Sequence, residues 1–230
     1  MPSYDALKNK QAELIRKALD GSVFLAEMSA DPITNLTQYT AAVVGPPAVP
    51  AGISLAALPV DWDDLGYLSD DGSAFARDVS SSEVSSFGSV TPTRTDIVSD
   101  TTSLTVVAQE TKLLTIGLAT GADLSNIAPD AQTGEVRIAK PSRPKSKHYR
   151  ILSVAVDEGE GGEIYIARFL PRAKVSSYAE QAFKKGDDPI SWGVTLTGEV
   201  DDALGYSEEW LFGGAGWNAL LTQMGFTPTP

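Results

Sequence analysis

The sequence predicts a mainly β fold, a sandwich or barrel of strands carrying one central α-helix, an N-terminal helix and long loops. Three observations carry this. Period-two alternation of apolar and polar residues recurs at Leu104–Gln109, Tyr149–Val156 and Trp192–Val200, which is the signature of a half-buried strand. Glycine-rich turns punctuate those runs. With 42% hydrophobic residues, a chain of 230 residues can bury a core of its own.

Taken in order, residues 3–20 read as a helix. Ser3 or Asp5 caps it, Leu7, Leu14, Ile15 and Ala18 form a narrow apolar stripe, and Gly21 stops it. This sets residues 1–22 apart as an amphipathic helix and leaves 23–230 as one β-domain. Val23–Met28 reads as the first strand. Residues 29–59 contain Pro32, Pro46, Pro47, Pro50 and Pro59, which exclude a long helix or a central strand. Yet the segment holds Ile33, Leu36, Val43, Val44, Ile53 and Leu55. It is expected to be an extended apolar arm lying along a neighbouring subunit, or else a loop packed across its own domain.

From Phe75 to Gln109 the pattern is β, with a serine-rich strand at 77–87 and a threonine-rich one at 91–98. Residues 110–119 switch to helical spacing through Leu113, Leu114, Ile116 and Leu118, and Gly121 closes the helix. A short strand is expected at 135–139. Residues 149–156 and 163–170 form the clearest hairpin, joined by the acidic, glycine-rich segment 157–162. Strands at 192–200 and 206–212 and a short helix at 217–224 complete the chain.

Composition narrows function. The absence of cysteine excludes disulfides, thiolate metal sites and thiol nucleophiles, and the single histidine, His148, excludes a two-histidine metal site within one chain. The net charge of −12 is the opposite of what a phosphate-binding protein carries. The charge is also uneven. Arg137, Lys140, Arg143, Lys145, Lys147 and Arg150 fall in one stretch without an acid, leaving 12 basic against 30 acidic residues elsewhere. A basic loop on an acidic body suits head-to-tail contact between identical subunits, and these six are the inter-subunit candidates. A solvated loop is the plainer reading. No apolar run spans a membrane, and the start of the chain lacks a signal-peptide core, so synthesis in the cytosol is expected.

No motif carries catalysis, a cofactor or a metal. Gly214–Ala219 has the spacing of a nucleotide fingerprint but no acid about 20 residues beyond it. The acids from Asp61 resemble the opening of a calcium loop, but Leu65 and Gly72 occupy ligand positions. Asp157, Glu158, Glu160 and Glu163 sit on a glycine-rich turn, a poor scaffold for a glycosidase pair. His148 lies among cations and reads as an exposed or interface residue. The chain is therefore expected not to be an enzyme.

The stretch Pro59–Gly72 places Trp62 before Leu65-Gly66-Tyr67 and an acidic turn ending at Gly72, and a polar strand then leads to Arg94 in a Thr-Arg-Thr sequence. In the order of these features the chain resembles the major tail (tail tube) proteins of siphophages, especially those of actinobacterial hosts. The resemblance is good over about residues 53–120 and loose elsewhere. It implies a β-sandwich flanked by a helix, self-assembly into hexameric rings stacked as a tube, and a place in the phage tail. It also implies contact with other tail proteins such as the tape measure and the terminator, and passage of DNA during ejection without sticking. An anionic bore would serve that passage. The family gives the N-terminal helix no counterpart. Outside the family, the same pattern would suit a glycan-binding β-sandwich using its tryptophans, a head–tail connector or a capsid decoration protein.

Overall fold

The computed structural model describes residues 3–42, 51–140, 142, 143 and 146–227. Its architecture is mainly β, with few and short helices, as the sequence predicts. Among the described residues no helix is long and apolar enough to cross a membrane.

The N-terminal helix is a correction. Only α1 (Tyr4–Leu7) and one 3-10 turn (Ala12–Leu14) form, and Asp20 already begins strand β1 (Asp20–Glu27). Leu7 and Ile15 stay exposed, so the apolar stripe finds no surface to bury against, and a short helix without tertiary packing is marginal. The chain is drawn out along its neighbour strand instead. The Leu19 N–H donates to the Val156 carbonyl at 2.9 Å, and Arg16 pairs with Asp157 at 3.6 Å. Asp157, expected on a solvated turn, is thereby buried.

The arm expected at 29–59 is also partly corrected. Residues 43–50, with Val43, Val44, Pro46, Pro47 and Pro50, lie outside the described residues. The rest folds back on its own subunit. β2 (Thr37–Thr40) and β3 (Gly52–Leu55) pair as a two-stranded ribbon, and Ile33 and Leu36 are buried against Leu152, Val154 and Phe169. Apolar groups that can be covered within the chain leave little need for a partner there.

Eight strands form one antiparallel sheet. After β1 come β4 (Trp62–Asp64), the long pair β5 (Leu68–Val84) and β6 (Arg94–Ala108), and helix α2 (Leu113–Thr120). Then follow β7 (His148–Gly159), β8 (Gly162–Tyr178), β9 (Trp192–Gly198), β10 (Glu209–Gly213) and helix α3 (Ala215–Leu220). The spatial order is β4-β1-β7-β8-β9-β6-β5, with β10 also on β8. β4 and β5 stand at opposite ends of this order, yet only Leu65, Gly66 and Tyr67 separate them in sequence. The sheet therefore curls until its ends approach, and Ser73 of β5 shares a 2.8 Å hydroxyl bond with Ser153 of β7 across the gap.

β8 is the pivot. Its first half pairs with β10 (Glu209↔Phe169 to Gly213↔Tyr165), and beyond Arg172 the same edge pairs with β9 (Ala173↔Gly198 onward). Pro171 lies at this switch, where the register with β7 slips between Tyr149 and Ile151, and an irregularity is where a strand tolerates a residue without an N–H. Core forms on both faces of β7: Ile151 packs with Val23, Leu104, Leu118 and Leu196, whereas Leu152 packs with Ile33, Val154 and Phe169. The strand expected at 135–139 does not form. Asp130 instead caps a tight turn, accepting the N–H groups of Gln132 and Thr133, while its own N–H donates to the Glu135 carbonyl at 2.9 Å.

Candidate self-assembly surface

The residues of the Pro59–Gly72 stretch build the corner where the sheet curls. Trp62 packs its ring 6.1 Å from Phe169 and donates its indole N–H to the Asp31 carbonyl at 3.0 Å. Leu65 is buried and donates its N–H to the Val23 carbonyl at 2.9 Å. Gly66 has φ +84°, and a Cβ there would lie 2.2 Å from the carboxyl carbon of Glu110, so only glycine fits. Glu110 accepts the Tyr67 N–H at 2.8 Å and pairs with Lys112 at 3.1 Å, and the Tyr67 N–H above all holds its carboxyl below the usual range. The Tyr67 ring itself is exposed. Gly72, at φ +63°, meets open space, so its requirement is conformational. These residues shape the subunit, and Tyr67 is the one whose side chain faces outward.

The six cations separate. Arg150 is buried, pairs with Asp201 at 3.3 Å and donates to the carbonyls of Ala30 and Pro171. That guanidinium is withdrawn from the surface, which corrects its place among the inter-subunit candidates. Lys147 pairs with Glu27 at 2.6 Å, and that carboxylate raises its pKa. Arg137 pairs with its near neighbour Glu135 at 2.7 Å, while Lys140 and Arg143 are exposed on the same long loop after α2. Lys145 lies outside the described residues. His148 contacts Glu199 at 3.0 Å; Glu199 also binds Lys174, which more than any other group lowers its pKa.

The feature least visible in the sequence is the reach of the β5–β6 hairpin. From Arg77 to Val84 and from Arg94 to Thr101 both strands are exposed or nearly so, and neither face is covered. Arg94 stands at the far end, opposite Val84, and pairs with Asp96 at 2.6 Å. Cross-strand side chains hold the ladder together. Arg77 binds Asp100 through both its Nε (2.8 Å) and Nη2, and Ser80 meets Ser99 at 2.6 Å. The run of serines without apolar alternation at 77–87 was the available signal. It marks a strand that builds no core of its own.

By register, Ser80, Ser99, Thr101, Thr105, Thr195 and Thr197 share one outward face across β5, β6 and β9. Thr105 and Thr195 hydroxyls meet at 3.0 Å, and Thr197 reaches Ser176 of β8 at 2.8 Å. Among the described residues, two edges bounding this face are open: β5 pairs only with β6, and β8 loses its β7 partner beyond Lys174. Open edges of this kind invite pairing with another chain.

A family model described as phage tail tube protein matches residues 8–211. No curated protein matches the chain.

Proposed function

The chain belongs to the phage tail tube protein family and is a structural protein of the phage tail, and on that premise we propose that six copies close into a ring and rings stack into the tube that carries DNA at ejection. The reading rests on one observation, the outer half of the β5–β6 hairpin, exposed on both faces and open along the β5 edge. Extended backbone in that state gains its missing hydrogen bonds when a sister subunit pairs with it, and ring closure removes every such edge. The open end of β8, at residues 175–178, is the partner edge on the next subunit.

The four strands β8, β9, β6 and β5 then turn their hydroxyl-rich face to the bore. Serine and threonine hydroxyls hold water, and Lys174, which the register places beside Thr197 on this face, is held by Glu199, so DNA releases few counterions there and slides. The −12 charge of each copy adds repulsion of the polyanion around every ring. Lys140, Arg143 and Lys147, on the loop after α2, face a neighbouring subunit and not the bore. The tape measure inside the tube and the terminator at its end are its other partners in the tail. The role is mechanical, with no reaction to catalyse.

Electron microscopy of the purified chain over a concentration series tests this. Sixfold rings and tubes are expected as concentration rises. A compact monomer at every concentration overturns the proposal, and so does an assembled tube whose bore is lined by the cations of residues 137–147.

A further inference from the structure

Among the stretches of this chain with no charged residue of their own are two that expose large apolar side chains, although charged residues make up 21% of the sequence. One is the tip of the long hairpin, residues 84–93, where Phe87 and Val90 are fully exposed. The other begins at Trp210 and runs through β10 and α3 to Thr227 without an Asp, Glu, Lys or Arg. On it, Phe212 stacks on Trp217 with ring centroids 4.8 Å apart, and Trp217 meets Phe226 at 6.1 Å. Trp210 is 53% exposed and Phe226 54%, so this aromatic row is left largely open to water. A contiguous aromatic patch of that kind marks a contact surface.

The patch is fixed in place. Arg168 lies between the rings of Phe75 and Trp210, 3.8 and 4.1 Å from their centroids, and pairs with Glu208. Glu208 also accepts the Thr102 hydroxyl at 2.7 Å, which ties β10 to the root of the hairpin. Among the described residues β10 itself pairs only with β8.

From these observations we infer that the hairpin tip of one copy, led by Phe87 and Val90, docks on the Trp210–Phe226 aromatic row of another. The inference rests on the tube reading above. The tip cannot reach the row of its own subunit. Phe75, at the hairpin root, already lies beside that row, and the strand from Phe75 to Val84 runs roughly 30 Å away from it at about 3.3 Å per residue. Charge is compatible with the same pairing. Copies at −12 each repel, and contact between them costs least where few ionised groups meet: residues 84–93 and 210–227 carry none, and Arg168 against Trp210 is already paired with Glu208. Tip and row are different surfaces, so the contact is heterologous and continues from copy to copy without ending at a dimer.

The chain has no cysteine, which gives a clean cross-linking experiment. The double variant Phe87→Cys, Phe226→Cys, treated with a short bis-maleimide under assembling conditions, is expected to give a ladder of dimers, trimers and higher species. Each single variant is expected to give nothing beyond dimers. Tubes that form without a ladder overturn this inference and leave the tube reading standing. A cross-link closed within one chain also overturns it. Absence of rings and tubes overturns the tube reading, and this inference falls with it. Separately, Phe87→Asp should lower the sedimentable fraction at least tenfold and Phe87→Leu should restore most of it. Since Phe87 is fully exposed, the thermal midpoint of the subunit should stay unchanged in both variants. Wild-type assembly by Phe87→Asp overturns the inference.

Discussion

Arg150 and Lys147 stand three positions apart in one basic segment, and the sequence offers no means of telling them apart. The fold separates them completely. Arg150 points into the subunit, where Asp201 and two carbonyls surround it, and both partners' side chains are at most 10% exposed. Lys147 holds Glu27 at the surface with half its side chain in water. Removing one member of a buried pair strands the other charge, which costs about 3–5 kcal/mol, whereas an exposed pair contributes less than about 1 kcal/mol. Arg150→Met is therefore expected to lower the urea midpoint of the isolated subunit sharply, and Lys147→Gln to leave it nearly unchanged. Equilibrium unfolding at a concentration below assembly checks both. If Arg150→Met unfolds like the wild type but fails to assemble, Arg150 acts between subunits after all. Gly66 was marked in the sequence only as part of the family resemblance, and its φ of +84° is what asks for glycine there, with the carboxylate of Glu110, 44 residues on, lying over it.

Elements were legible where local pattern and tertiary partner agree. Leu152, Val154 and Val156 alternate, and β7 pairs with β8 across that whole run. Residues 110–119 change period, and α2 forms with Gly121 at φ +63° closing it. The failures have a common cause. The stripe of Leu7, Leu14, Ile15 and Ala18 has helical spacing, but spacing does not supply a surface to bury it, and β7 captures the segment by backbone pairing at Val156. The hairpin β5–β6 was legible as β and not as a projection, because length beyond the core leaves only a polar composition behind. Its independence from the core is testable. Leu104 and Val106 at its root are core residues, whereas nothing from Ser80 to Ser99 is buried. Replacing residues 80–99 with Asn-Gly leaves Val79 and Asp100 flanking a two-residue turn, as their pairing allows. The shortened chain is expected to melt within a few degrees of the wild type and to form no rings or tubes. Calorimetry and electron microscopy together decide it, and assembly by the shortened chain would remove the hairpin from the mechanism.

At the scale of the whole molecule, two kinds of contact between copies make opposite demands on salt. If exposed lysines and arginines of the loop after α2 met acidic surfaces of the next copy, added salt would weaken assembly, since screening shortens from about 10 Å at 0.1 M to about 3 Å at 1 M. If the contact is uncharged, made by paired backbone edges and by the Phe87 tip on the Trp210–Phe226 row, the same screening acts only on the mutual repulsion of −12 subunits. Salt then strengthens assembly. The chain's charge is large and of one sign, and the cations best placed to offset it are largely occupied: Arg150 by Asp201, Lys147 by Glu27, Arg137 by Glu135. The repulsive term therefore dominates, and the critical concentration for tube formation is expected to fall severalfold between about 0.05 and 0.5 M sodium chloride. Sedimentation across that range measures it. A critical concentration that rises with salt would place the loop cations at the centre of the interface and reduce the uncharged surfaces to a secondary role.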